Sequence, residues 1–426
     1  MRFTCSDLLI DMLAKDLMWK LLMLWAVSAS PLFSRVFPVQ DVQVDQSHSR
    51  VGIKWYVPLL NQSFALSLES SPEVVDVDSK IQHHKEDDSV HETSHVSMSY
   101  SGDDSDYRIA ATLGHDQALI LTALHHKNPE LSFQLAPKQM LQDQDVESRF
   151  AFAFLTDLDP EFSASFKCSG TGSSESHSTT NTMHVRRLLQ RFPTADEKWV
   201  GCNGATGDKD LIVKMGVLVD FGFFKVAKSV STDPMVLVQN IFATANMVYR
   251  NELGVILQIG DVVIKQQLDS TPWNQDRNGG KCPIKLDDLL PLLKDLRGKN
   301  QISGNMGLWN LLTDCYPPPG EVGYSYIGQL CSSGPHNVGV VSYSGPISWL
   351  TFAHETGHQF GARHNFELGR GKTGGIMDYG LNHINGVYSF DARFRKEEIC
   401  TTIQEAQGGL AAKKLDKCLV PYTGQN

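Results

Sequence analysis

The stretch "AHETGHQFGARHN", residues 353–365, constrains this chain more than any other. His354 and His358 are four residues apart, so a helix would place both imidazoles on one face, where they can share a metal ion. Gly361 follows where the chain must turn sharply, because glycine reaches positive φ without steric cost. Such a turn can bring His364 back as a third ligand. The pattern predicts a metal site at the end of a helix.

A second H-E-x-x-H, "HETSH" at residues 91–95, lacks this context. Its flanks are polar, and Met98 and Ser101 stand where the longer motif has its glycine and its third histidine. A helix there would have no apolar face with which to dock. We therefore predict a solvated loop. The alternative is adventitious metal binding by a group of four histidines, His83, His84, His91 and His95.

The stretch "GGIMDYG" adds a methionine, Met377, thirteen residues after His364. Gly374 and Gly375 allow a tight turn that would place this methionine below the metal. Three convergent imidazoles and a carboxylate would be costly to bury without a metal ion. The long motif with its methionine turn is therefore a far more specific signal than the pentapeptide alone.

With these residues the chain resembles the metzincin metallopeptidases, and within them the adamalysin (reprolysin) group, the catalytic domains of ADAM proteases. The resemblance covers about residues 208–422 and rests more loosely on "VYRNELGVIL", "YIGQLC" and "NVGVVSY". It implies an α/β (α+β) domain with a mixed twisted sheet and an active-site helix. One departure is Asn365, where adamalysins usually carry aspartate. Tyr379 resembles a tyrosine of astacin-like and serralysin-like enzymes that approaches the metal; the alternative is packing below the site.

The resemblance implies Zn²⁺ as the cofactor, with His354, His358 and His364 as ligands and Met377 as the turn methionine. Zinc would activate a water molecule, and Glu355, as general base, would accept its proton during attack on a peptide carbonyl. The implied function is a zinc metalloendopeptidase acting on protein or peptide substrates. The alternative is a catalytically silent, metzincin-shaped binding protein, although such proteins typically lose the glutamate or a histidine.

Four segments are expected along the chain. Residues 1–29 are predicted to be a signal peptide, because Lys20 precedes an apolar run of about ten residues that ends in small ones. Residues 30–167 predict a β-rich pro-domain that acts as an intramolecular inhibitor, and residues 168–207 a flexible linker with the processing region. Residues 208–426 form the peptidase domain. A buried or uncleaved N-terminal helix is the alternative to the signal.

A signal peptide implies secretion to the extracellular space. The net charge of -10 and the lack of a dense Lys/Arg run make nucleic acid an unlikely class of partner. No later stretch approaches the roughly 20 apolar residues of a membrane span, so stable membrane insertion is not expected once the signal is removed.

The cysteines outside the signal number seven, so one is left over in an oxidising compartment. Cys168 is a candidate cysteine switch, a thiolate that occupies the open position on zinc. The alternatives are a disulfide, for example to Cys202, or an unrelated free thiol. The resemblance favours a disulfide between Cys331 and Cys418.

Strands and helices alternate after residue 208, which favours an α/β domain. Residues 234–254 read as a helix that starts at Pro234 and stops before Gly254, and residues 255–264 as a strand. Residues 338–342 read as a further strand. It is either an edge that pairs with an extended substrate or an interior strand of the sheet.

Overall fold

The computed structural model describes most of the chain after residue 35. The described residues are 36–47, 49–76, 78–85, 89–93, 97–103, 106–128, 131–141, 149–155, 166–171 (backbone alone), 198–202, 209–277, 282–316, 320–379, 382–384, 386–408, 414–415 and 418–423. The predicted signal peptide lies outside them. No helix within these ranges has the length and apolar character needed to cross a membrane.

Nine strands near the N-terminus form one antiparallel sheet. They are β1 Val36–Pro38, β2 Gln40–Gln46, β3 Arg50–Val57, β4 Gln62–Ser70, β7 Met98–Asp103, β8 Tyr107–Leu113, β9 Leu119–His125, β10 Phe133–Pro137 and β11 Phe150–Phe154, numbered in chain order. Their order in the sheet is β1-β11-β10-β9-β8-β7-β4-β3-β2. Strands β1 and β2 stand at opposite ends of this order, yet only Val39 separates them in the chain. The sheet must therefore curl into a barrel.

The barrel interior is filled by alternating side chains, as the predicted β pattern requires. In β3, Val51, Ile53, Trp55 and Val57 are buried while the residues between them are more exposed. Trp55 stacks on Phe64 with ring centroids 4.9 Å apart. The alternation has the period of two expected for a strand with one buried face.

The second sheet is mixed and contains the remaining strands. They are β5 Ile81–His84, β6 Val90–Thr93, β12 Phe166–Thr171, β13 Leu211–Val219, β14 Val255–Lys265, β15 Leu308–Thr313, β16 Gly320–Tyr326, β17 Val338–Ser342 and β18 Leu419–Pro421. Their order is β12-β16-β17-β15-β13-β14-β5-β6, and β18 pairs with β13 off this path. The four neighbouring pairs from β17 to β5 are parallel, whereas β16 runs antiparallel to β17.

Among the described residues, five α-helices accompany this second sheet. They are α1 Phe221–Val230, α2 Met235–Val248, α3 Leu286–Gly298, α4 Ser348–Gln359 and α5 Ala392–Ala406. Helix α2 begins after Pro234, continues as a π-helical turn and ends at Gly254, whose φ of 62° lies in the left-handed region. The predicted helix and its stop signal are thus confirmed, as is the mixed α/β character.

Helix α2 lies between the barrel and the second sheet. Every residue of α2 except Asn246 is buried. Its neighbours in one continuous hydrophobic core include Ala110 and Ile120 on the outer face of the barrel and Ile259 of β14. Asp116 of the barrel also accepts a hydrogen bond from the Thr232 amide between α1 and α2. The two parts of the chain therefore pack against each other through a shared hydrophobic core.

Two sequence predictions need correction. Residues 91–93 are not loop, because they belong to β6, which pairs with β5; Ser94 and His95 lie outside the described residues. The polar stretch forms a hairpin because its backbone pairs with β14, a long-range partner that local composition does not reveal. The predicted flexible linker, residues 168–207, begins inside the strand β12, and Trp199 near its far end is buried; residues 172–197 and 203–207 of it lie outside the described residues.

Candidate active site

Helix α4 carries the first two histidines of the long motif and is buried along its whole length. His358 Nε2 lies 3.1 Å from His354 Nε2 and 3.2 Å from His364 Nε2. The candidate ligand atoms of all three lie within 4.8 Å of one another, and no other group of three or more His, Cys, Asp or Glu side chains converges in this way within the described residues. The structure therefore brings the three predicted histidines together and does not do so for His83, His84 and His91.

The outer nitrogens of two imidazoles fix their tautomers. His354 Nδ1 lies 2.7 Å from the Ile376 carbonyl and His358 Nδ1 lies 2.8 Å from the Ala362 carbonyl. A carbonyl only accepts, so each Nδ1 must carry the hydrogen and each neutral ring presents an Nε2 lone pair inward. Converging lone pairs repel one another unless a cation lies between them. This donor set fits a zinc ion.

Burial also keeps these rings neutral. It lowers the pKa of His354 to about 4, although the Ile376 carbonyl opposes the shift. Burial, followed by the charges of the two neighbouring histidines, lowers the pKa of His358 well below its usual value. A neutral imidazole is the form that binds a metal ion.

Gly361 makes the turn that returns the chain to the site. Its φ is 98°, and a Cβ at this position would lie 2.3 Å from Thr402 Oγ1 and 3.0 Å from the Glu398 carbonyl oxygen. The Gly361 amide donates to the His358 carbonyl, which ends the helix. Both the backbone conformation and the space require glycine here.

The methionine turn lies directly beneath the histidines. Met377 is fully buried, and a Cβ on Gly357 of α4 would lie 2.6 Å from its sulfur. Asn365 joins the third histidine to this turn, since its backbone amide donates to the Met377 carbonyl and its Nδ2 donates to the Gly374 carbonyl at 2.8 Å. The asparagine that departs from the adamalysin pattern is thus a donor where an ionised aspartate would only accept.

Tyr379 approaches the metal-binding atoms. Its hydroxyl oxygen lies 3.0 Å from His364 Nε2. The ring packs edge-on against His364 and Phe366, and the guanidinium of Arg370 lies 4.4 Å from its centroid. Of the two alternatives for this tyrosine, the structure favours the one in which the hydroxyl reaches the site.

Glu355 is completely buried and lies against β16, where Ser325 donates a hydrogen bond to its carboxylate and Gly323 leaves space for it. Ser325 Oγ lies 2.5 Å from Glu355 Oε2, and a Cβ on Gly323 would lie 2.4 Å from Glu355 Oε1. Sequence reasoning missed both residues. The available signal was the small residue at alternate positions in "VGYSY", which gives one face of the strand little side-chain bulk.

The strand order of the second sheet shows that β16, and not β17, borders the site on the sheet side. Strand β17 lies between β15 and β16, so residues 338–342 are interior and the alternative of an edge strand is wrong. On its outer side β16 pairs in parallel with β12, and Cys168 is in register with Gly323. Strand β12 also lies against α4.

Three disulfides join six of the cysteines. They are Cys202–Cys400, Cys282–Cys315 and Cys331–Cys418. The third is the pair that the resemblance favours, and the first excludes a bond between Cys168 and Cys202. All six cysteines from residue 202 onward are therefore paired with one another.

Comparison with known proteins identifies the part of the chain that carries this geometry. Residues 212–385, less than half of the chain, match the model of a reprolysin-type family described as metallo-peptidase family M12. They are a reprolysin/ADAM-type metallopeptidase domain. The match includes the three histidines, Glu355 and Met377. Peptidases of this family use zinc, for which the donor set of the metallopeptidase domain is suited.

The curated relatives are fungal and much longer. Three proteins named disintegrin and metalloproteinase domain-containing protein B are similar to part of this chain. The protein of Trichophyton verrucosum is 27% identical over 189 residues, 39% of this chain and 23% of its own length. That of Arthroderma otae is 28% identical over 176 residues (36% and 22%), and that of Aspergillus fumigatus 30% over 140 residues (30% and 17%). The similarity thus spans less than a quarter of each relative.

Proposed function

We propose that this protein is a secreted zinc metalloendopeptidase made as a zymogen. The observation that carries the proposal is the convergence of three imidazoles, two of them on one helix beside a buried glutamate, in a domain that matches family M12. A signal peptide would direct the chain to the extracellular space. The six paired cysteines suit that oxidising compartment.

The chain's own residues have distinct parts in the reaction. His354, His358 and His364 would hold zinc, which when bound polarises a peptide carbonyl and activates a water molecule. Glu355 accepts the proton from the attacking water and returns it to the leaving amine. Tyr379, whose hydroxyl lies beside His364 Nε2, would donate a hydrogen bond to the developing oxyanion.

We expect metal removal to abolish this activity. Dialysis of the processed enzyme against a strong chelator should lower hydrolysis of a generic protein such as casein by more than about a hundredfold, because carbonyl polarisation and water activation are lost together. Addition of one equivalent of Zn²⁺ should restore it. Full activity in the metal-free protein would contradict the assignment, and circular dichroism before and after dialysis controls for unfolding.

The pairing of β12, which precedes the metallopeptidase domain, supports the proposal that the protein is made as a zymogen. Strand β12 covers the outer edge of β16, where an extended peptide would otherwise pair with the sheet. Its Cys168 is level with Gly323, the residue that contacts Glu355. We infer that residues 30–167 form the pro-domain, that the strand at its end occupies the substrate edge, and that the Cys168 thiolate binds zinc.

Replacing Cys168 with serine tests the thiolate separately from the strand. We expect the uncleaved C168S protein to hydrolyse peptides at least about tenfold faster than uncleaved wild type, because a serine hydroxyl is a much poorer zinc ligand than a thiolate. Ser169→Ala, the neighbouring change in the same strand, should have no such effect. If C168S and wild type were equally active, the thiolate would not be an inhibitor, and any inhibition would come from β12 alone.

The alternative function is a catalytically silent binding protein of the same fold. The presence of all three histidines and Glu355 argues against it, because loss of one of them is what would make a member of this fold silent. Hydrolysis of casein by the processed protein, with and without chelator, distinguishes the two functions.

A further inference from the structure

The strand beside the site contains a polar group that the proposed reaction does not yet use. Ser325 is completely buried in β16. Its Oγ lies 2.5 Å from Glu355 Oε2 and 2.9 Å from the Glu355 carbonyl oxygen. A serine hydroxyl has one hydrogen, and a carboxylate is the stronger acceptor, so the hydrogen is directed to the side chain.

A second residue of the same strand shapes the space for the carboxylate. Gly323 and Ser325 are two residues apart, so they lie on the same face of β16. A Cβ on Gly323 would lie 2.4 Å from Glu355 Oε1 and 2.7 Å from its Cγ. The strand therefore provides an opening at one residue and a hydrogen-bond donor at the other, both against the same side chain.

This arrangement restricts a flexible side chain. Glutamate has three side-chain torsions, and its last one rotates broadly, so burial alone does not fix the direction of the carboxylate. A general base must lie within hydrogen-bond reach of the proton that it accepts. A donor held on a sheet strand can fix one carboxylate oxygen and thereby set the direction of the other.

We propose that Ser325 is a positioning residue, which orients the Glu355 carboxylate for proton transfer, and that Gly323 provides the space for this orientation. The inference rests on the proposed function, because it assigns Glu355 as the base. Ser325 acts through Glu355 and has no contact with the substrate in this role. The same two residues would have no reason to form this cradle if Glu355 only filled the core.

Kinetics of the processed Ser325→Ala enzyme test the proposal. We expect kcat to fall by about 10- to 100-fold, with KM and zinc content unchanged, because a misdirected base affects the chemical step alone. Ser325→Cys retains a weaker donor of similar shape and should fall between alanine and wild type. Gly323→Ala should lower kcat through the same side chain, because its methyl group displaces the carboxylate.

The matched control is Ser342→Ala on the neighbouring strand β17. Ser342 is equally buried, and its Oγ accepts a hydrogen bond from the Tyr316 amide, away from Glu355. Removing it costs a comparable buried hydrogen bond and should leave kcat unchanged. A merely structural role for Ser325 would predict the same kinetics for both alanine variants.

Crystal structures of wild type and Ser325→Ala provide a readout that does not depend on activity. We expect the Glu355 carboxylate to take one orientation in wild type and to move or occupy several in the variant. An unchanged carboxylate, or an unchanged kcat, would overturn the proposal. If wild type itself failed to cleave peptides, the proposed function would fail while the crystallographic comparison still tested the positioning role.

Discussion

Glu355→Ala is expected to lose peptide cleavage while it retains zinc. Removal of a general base typically lowers a rate by about 10²- to 10⁴-fold, and the remaining activity comes from the metal and from substrate binding. Zinc should stay bound because the three histidines are unchanged, and the Nδ1 atoms of His354 and His358 contact the backbone carbonyls of Ile376 and Ala362, which the substitution leaves in place. Zinc content by atomic absorption and kcat on a quenched fluorescent peptide measure the two effects.

The controls for this variant separate charge from position. Glu355→Gln keeps the size of the side chain and its contact with Ser325 but cannot accept a proton, so it should be as inactive as alanine. Glu405→Gln changes an exposed glutamate on α5 and should match wild type. Wild-type cleavage by Glu355→Ala would show that another group is the base.

Gly361→Ala is expected to damage both the fold and the metal site. Alanine is strained at the φ of 98° that Gly361 adopts, and its methyl group would lie 2.3 Å from Thr402 Oγ1. A backbone penalty together with a buried clash should lower the free energy of unfolding by about 2–4 kcal/mol. Because the same turn directs His364, zinc affinity should fall as well. Thermal denaturation and a competitive zinc titration measure these two losses.

Gly408→Ala isolates the backbone part of that loss. Gly408 has a φ of 100°, nearly that of Gly361, and nothing lies within 4 Å of its added Cβ. Its replacement should cost only about 1 kcal/mol and leave zinc affinity intact. Adding Thr402→Ala to Gly361→Ala should recover part of the clash. Equal losses at the two glycines would show that crowding at Gly361 contributes nothing.

The parts of the molecule that local sequence determines could be predicted. The two histidines on α4, the glycine turn and the methionine turn depend on residues that are close in the chain. The same holds for the end of α2 at Gly254, where a positive φ demands glycine. In these cases the residue type itself carries the geometric requirement, so a single sequence is sufficient.

The parts that depend on distant pairing could not be predicted. Residues 90–93 are exposed, and all but Val90 are polar. They form a strand because β5 beside them pairs with β14, more than 150 residues further along the chain. Ser325 gave no signal as an isolated serine, because its role arises only when β16 packs against α4. The core shared by the barrel and α2 could not be predicted either. Hydrophobic periodicity identifies the apolar face of a helix or strand but not the element against which that face packs.

The second sheet ends on both sides in strands that precede the metallopeptidase domain. Strand β12 covers β16 at one end, and β5 covers residues 262–265 of β14 at the other. Loss of these segments on activation would expose two rows of unpaired amides and carbonyls. Under the proposed function, one row would admit substrate. The other row, at the opposite end of the sheet, would then be open to any extended chain, so release of the proposed pro-domain would carry a risk of self-association that is separate from catalysis.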